Sequence, residues 1–252
     1  MSEKELLQAK LNDFYRTTLA SAKPLFDDKH LRELSAPLLI SISETYLCAP
    51  VRVMFVGKET NGWCGKLGAF YAAEDAISPL MKSYQKQMGK PKWPGRFFQM
   101  LSRAARELNG AQADAIAWTN LMRTDWAHGK GFSRNSKKFS EALTKMSQEM
   151  LRFEVELLKP DVIIFACGTS YDSVIKETFP HRTNSEPIVK RALWQFNVGK
   201  ILCFRSQHPQ AIRRKNSIFK PVNAYYADIF ARVKTNFPHV YDVPMAVNIS
   251  NS

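Results

Sequence analysis

A carboxylate, an amide and an imidazole each stand where an apolar run of this chain turns abruptly polar. Glu59 and Asn61 follow the run in VRVMFVGKETNGW (51 to 63), Asn120 closes ADAIAWTN (113 to 120), and His208 follows the run in ILCFRSQHPQ (201 to 210). A fourth run, PDVIIFACG (160 to 168), stops on Gly168. A carboxylate can serve as a general base, an imidazole can donate a hydrogen bond, and an amide offers one acceptor and two donors. Each apolar run reads as a buried strand. If the four strands lie parallel, their polar ends share one edge, and open α/β sheets bind ligands outside the carboxyl ends of their strands.

The elements that must position these groups follow from periodicity. Leu6, Leu7, Leu11, Phe14 and Tyr15 predict a helix over 3–20, and Leu31, Leu34, Leu38, Leu39, Ile42 and Tyr46 predict another over 30–47. After the first strand come a loop rich in glycine and aromatics, GWCGKLGAFYAAEDA, and a short helix over 77–88. The rigid turn GKPKWPG feeds the helix RFFQMLSRAAREL, with Phe97, Phe98, Leu101 and Leu108 directed at the sheet. The segment LMRTDWAHGKGFSRNSKK reads as a long basic loop, and loops of that length in compact domains are often functional. Helices over 139–158 and 170–178, an extended stretch near 188–198 and a helix over 218–235 complete the order. That order specifies an α/β sandwich with a mainly parallel sheet.

A chain of 252 residues, 45% hydrophobic, suffices for one sizeable core, and no linker divides it. The 36 Lys and Arg against 23 Asp and Glu leave a net charge of +13, which points first to a polyanionic partner, DNA or RNA. Cys48, Cys64, Cys167 and Cys203 show no CxxC spacing, which argues against a zinc site, a disulfide scaffold or an iron-sulfur cluster, so neither a metal nor another cofactor is expected. MSEKELLQAK lacks the basic-then-apolar pattern of a signal peptide, and no apolar run approaches a membrane span. The expectation is a soluble, monomeric protein of the cytoplasm. No GxGxxG follows any strand, which disfavours a dinucleotide enzyme.

The run VMFVGKETNGW resembles the first signature of the uracil-DNA glycosylase superfamily, an apolar strand ending in Gly, any residue, an acidic or amide residue, then usually Pro. FRSQHPQ resembles its second signature, an apolar strand ending in His-Pro. The Pro-rich turn with its following helix, the Asn closing the second strand, and KPDVIIFACG fall between them in the same order. The resemblance covers about residues 50 to 235. It implies a three-layer α/β/α sandwich with a central, mainly parallel, four-stranded sheet at 50–237, preceded by helices packed on the core at 1–49 and followed by a polar tail at 238–252.

It also implies the roles. Glu59 would favour the cationic sugar and orient the attacking water, and His208 would donate to the departing pyrimidine. Asn120 would read the base edge. Phe70 is the first candidate for the stacking aromatic, with Tyr71 and Trp63 on the same loop. Lys90 and Lys92 in KPKWPG would contact phosphates while the turn compresses the backbone. Ile212 or Arg213 would fill the gap left by the extruded base, and Arg213, Arg214 and Lys215 would hold the backbone, so binding would weaken with salt.

The chain departs from this pattern in places. Thr60 stands where Pro is usual, Gln210 where Ser is common, and Glu59 is one methylene longer than the usual Asp or Asn. Asn61 and Gly62 replace the tyrosine that blocks the pyrimidine 5-position in strict uracil enzymes, which leaves room for a 5-substituent. The reading is a monofunctional DNA glycosylase acting on uracil or a 5-modified pyrimidine, in base-excision repair or in defence against phage DNA carrying hypermodified cytosine. Two alternatives stand beside it: a nucleic-acid-binding relative without activity, and a nucleoside hydrolase or deoxyribosyl transferase using Glu59 as nucleophile.

Overall fold

The computed structural model describes residues 1–90, 95–126, 141–211 and 219–241. Lys92, Ile212, Arg213, Arg214, Lys215, the basic stretch 128–138 and the tail from 242 onward lie outside the described residues.

Four short apolar strands form the centre: β1 (Val53–Gly57), β2 (Ile116–Asn120), β3 (Val162–Phe165) and, later in the chain, β6 (Ile201–Ser206). They are parallel, β1 pairing with β2 and β3, and β3 pairing with β6. Every residue of β1, β2 and β3 is buried, the mark of strands covered on both faces, and this is why each reads as a continuous apolar run rather than an alternating one.

The sheet is larger than the four strands expected, and it is mixed. Thr183–Val189 (β4) and Leu193–Val198 (β5) form an antiparallel hairpin that adds to β6, giving the order β2-β1-β3-β6-β5-β4. β4 escaped the periodicity because it is a largely exposed edge strand, TNSEPIV, with little apolar signal and a proline that only an edge tolerates.

The segment before β1 also differs from expectation. α1 (Glu3–Ala22) forms behind a Ser2/Glu5 capping box and buries Leu11, Tyr15 and Leu19. The predicted helix over 30–47 is instead α2 (Asp28–Glu33), an extended segment, and α3 (Glu44–Leu47). Pro37 disfavours helical geometry at Ala36 and supplies no N–H of its own. The neighbouring backbone groups bond elsewhere: Ser35 N–H to Asp125 O, Ala36 N–H to Gly65 O, and Leu38 N–H to Arg123 O. Leu38, Leu39, Ile40 and Ile42 are all buried, so an extended segment enclosed on all sides imitated an amphipathic helix.

The remaining helices are α4 (Leu67–Ala72), α5 (Ile77–Met88), α6 (Arg96–Asn109), α7 (Glu141–Leu158), α8 (Asp172–Thr178), α9 (Val222–Asn236) and a final turn, α10 (Pro238–Tyr241). α1 packs on α7 and α7 on α8, while α6 packs on α9 and α9 on α10. Among the described residues no helix is long and apolar enough to cross a membrane.

Candidate functional site

The carboxyl ends of β1 and β2 meet in register, Gly57 opposite Asn120. Two bonds prolong the pairing, Leu121 N–H to Gly57 O and Met122 N–H to Lys58 O, so the loops carrying Glu59 and Asn120 depart from adjoining backbone. Gly57 permits this approach. A Cβ there would stand 2.2 Å from Asn120 Oδ1 and 3.0 Å from the Phe97 ring. Gly57→Ala is therefore expected to cost about 1–3 kcal/mol through overpacking and to displace the Asn120 amide. Thermal denaturation together with an abasic-site assay checks both effects.

Trp118 and Asn120, two residues apart on β2, face the same side of the sheet. The Trp118 indole N–H donates to Asn120 Oδ1 at 3.3 Å. Turning the amide over would set its NH2 against that N–H, so Trp118 restrains the orientation of the amide. Asn120 itself is 2% exposed.

Glu59 is half-buried, and its Oε2 accepts the Tyr171 hydroxyl at 2.8 Å. Tyr171 ends a 3-10 turn (Thr169–Tyr171) that follows β3 and Gly168, whose φ of 74° suits glycine. Burial, followed by the charge of Glu59, pushes the phenol far above its ordinary range, so it keeps its proton and remains a donor. Beyond Glu59, the buried Asp125 carboxylate accepts the Thr60 hydroxyl and the Gly62 N–H, and Ser35 bonds to Thr60. Asn61 is exposed at the apex of this clamped loop.

His208 follows β6. Its Nδ1 accepts the Gln210 N–H at 3.2 Å, which places the proton of the neutral ring on Nε2. The imidazole lies nearly parallel to Phe97, with centroids 5.6 Å apart and planes 20° apart. Burial first, then the Lys58 charge, lowers its pKa to about 4. Between about pH 6.5 and 4 the unfolded chain therefore binds the extra proton, and the stability that His208 contributes at neutral pH is lost as pH falls through that window. Ring 15N NMR should show a neutral, Nε2-protonated imidazole from pH 8 down to 5; a midpoint near 6.5 would contradict the site geometry.

The structure thus brings Glu59, Asn120 and His208 to one sheet edge and adds residues that the sequence pattern did not single out. Phe97 and Phe98 were assigned to the sheet-facing core, yet both are only half-buried in the first turn of α6, and Phe97 lies between Gly57 and His208. Trp63 stands edge-on to Trp118 at 5.6 Å, one ring removed from Asn120. Phe70 and Tyr71 pack against each other on α4, and the Tyr71 hydroxyl donates to Leu19 O of α1, which turns that ring toward the amino-terminal helices. Lys90 follows α5 and its Nζ donates to Gln87.

A cavity of about 260 Å³, lined by Ser41, Tyr46, Tyr84, Gln85 and Asp114 among others, sits at the amino end of β2, away from these groups. No group of three or more His, Cys, Asp or Glu side chains converges to hold a metal among the described residues. Compared with known proteins, the chain matches no protein-family model and no curated protein.

Proposed function

We propose that the chain is a monofunctional DNA base glycosylase that flips out uracil or a 5-modified pyrimidine and hydrolyses its N-glycosidic bond. The observation that carries this reading is one parallel-sheet edge holding an oriented carboxylate, a restrained amide and a neutral histidine whose Nε2–H is the free donor. Breaking the bond leaves positive charge on the sugar and negative charge on the departing base, and a catalyst gains by stabilising both. Glu59 opposes the cation and orients the attacking water. The His208 Nε2–H donates to a pyrimidine oxygen as it becomes anionic, and a pKa near 4 keeps the ring neutral at working pH.

A base coplanar with the imidazole and bonded to Nε2 would lie roughly parallel to Phe97, which makes Phe97 the better stacking surface than Phe70. The parallel portion β2-β1-β3-β6 supports a uracil-DNA glycosylase-like three-layer core to which the β4–β5 hairpin is an addition. The net charge of +13 supports DNA as the partner, and the free cysteines agree with a monomer acting in a reducing cytoplasm. The substrate class rests on the loop at 60–62. Asp125 clamps both sides of Asn61, and among the described residues nothing lies within 4 Å of where a Gly62 Cβ would be, so space for a 5-substituent adjoins a hydrogen-bonding side chain.

The test is to incubate the protein with uracil DNA, thymine-mismatch DNA and phage DNA bearing modified cytosines, and to score abasic sites. Release of a modified base supports the full reading, and release of uracil alone sinks the enlarged pocket. Binding without abasic sites on any DNA indicates a non-catalytic relative, and turnover of free nucleosides without DNA a small-molecule enzyme.

A further inference from the structure

We propose that Tyr171 is the positioning residue for the Glu59 carboxylate, fixing from the β3 loop a side chain long enough to wander. The inference rests on the glycosylase reading for its catalytic consequence, but the contact itself is testable without activity. Glutamate has one more rotatable bond than aspartate, and an unrestrained carboxylate at this loop would sample several positions relative to a bound sugar. Tyr171 removes that freedom. Its ring is 2% exposed, and its hydroxyl reaches Glu59 Oε2 at 2.8 Å.

The phenol is itself held on both sides. Tyr171 N–H closes the turn onto Gly168 O, and the next residue, Asp172, makes a two-point ion pair with Arg205 of β6 at 2.7 and 3.1 Å. Arg205 is 4% exposed and Asp172 half-buried, so this anchor is partly shielded from water. A continuous path therefore runs from β6 through Arg205, Asp172 and Tyr171 to Glu59, and it spans the strands that carry the two poles of the site. At the β3 end Tyr171 interacts electrostatically with Cys167 as well as with Glu59. Lys58 acts electrostatically on both Cys167 and His208. Tyr171 transfers no proton in this role: it donates to the carboxylate throughout, while Glu59 takes the proton of the attacking water.

Tyr171→Phe in the full chain deletes the donor and keeps the ring. Donation to the ionised form lowers a carboxyl pKa, so the Glu59 carboxyl 13C midpoint should rise in the variant. Base release should fall about 10-fold in kcat with KM little changed, and the acid limb of the pH–rate profile should move up with the 13C midpoint. The reciprocal variant, Glu59→Gln, should shift the Tyr171 ring 13Cζ resonance at neutral pH, because the hydroxyl that donates to Oε2 at 2.8 Å would then meet an amide rather than a carboxylate. An unchanged Glu59 titration in Tyr171→Phe together with an unchanged Tyr171 13Cζ resonance in Glu59→Gln overturns the proposal whether or not the protein is active. An active wild type with an identical pH–rate profile in Tyr171→Phe overturns the positioning role and leaves the glycosylase reading standing. A wild type inactive on every DNA refutes that reading, and the Glu59 titration and the Tyr171 resonance still decide the contact.

Discussion

Glu59→Gln is expected to lower single-turnover base release by about 1,000-fold while DNA affinity stays unchanged. Glutamine keeps the length of the side chain, and its amide oxygen can still accept the Tyr171 hydroxyl that now bonds Oε2 at 2.8 Å. The substitution therefore removes charge and basicity and leaves the shape. If Glu59 opposes the cationic sugar and orients water, the loss falls on kcat, because both interactions strengthen only as the bond breaks. His208→Ala should cost about 100-fold or more by deleting the donor to the departing base. The double variant should lose less than the product of the single effects, since residues acting as a unit on one transition state are not additive. Abasic-site formation measures rate, and fluorescence anisotropy with a labelled duplex measures binding. Wild-type rates in both single variants would refute the assignment of roles.

The strand ends were legible because β1, β2 and β3 are buried on both faces, so each shows an uninterrupted apolar run that must stop where the sheet does. Glu59, Asn120 and His208 lie just at or beyond such stops, and the parallel pairing places them on one edge. What pattern could not show was contact between distant segments. The helical spacing of Leu31 to Tyr46 belongs largely to an enclosed extended segment, where nearly every position is buried and most are apolar, so that a helical period can be read into them. β4 carries too few apolar residues to stand out, although Gly199 and Lys200 between two strand-like runs signal the neighbouring hairpin of β5 and β6. Phe97 has the composition of core but sits in the first turn of α6, where the helix overhangs the strand ends. Tyr171 carried a usable signal, since it stands three residues after Gly168 and therefore in the turn that leaves β3. Asp125 carried none: its link to Thr60, Gly62 and Ser35 joins three parts of the chain that no local pattern relates.

Arg123→Met is expected to destabilise the fold by about 3–5 kcal/mol, more than the overpacking at Gly57→Ala. Arg123 and Glu154 are both fully buried and joined by two bonds, at 2.8 and 2.7 Å. The Thr119 hydroxyl donates to Glu154 at 2.9 Å, and the Tyr15 hydroxyl of α1 donates to the same carboxylate. Burial and the Glu154 charge hold the Tyr15 phenol well above its ordinary range, so it remains a donor, and its oxygen accepts the Ile40 N–H at 3.3 Å. Removing the guanidinium would strand an anion in this dry cluster. For a domain of this size the loss corresponds to a fall of roughly 10 °C in Tm. A second change, Glu154→Gln, should restore part of that stability, because a neutral amide oxygen can still accept the Tyr15 and Thr119 hydroxyls and no charge is left stranded. The double-mutant cycle in thermal denaturation separates this cause from simple loss of packing, since a double variant as unstable as Arg123→Met would implicate packing alone. The consequence reaches the site. Arg123 O accepts the Leu38 N–H, and two residues later Asp125 clamps Thr60 and Gly62, so loosening this cluster should also free the loop that presents Asn61. Base discrimination should then weaken in Arg123→Met at temperatures below its Tm, and it should recover with stability in the double variant.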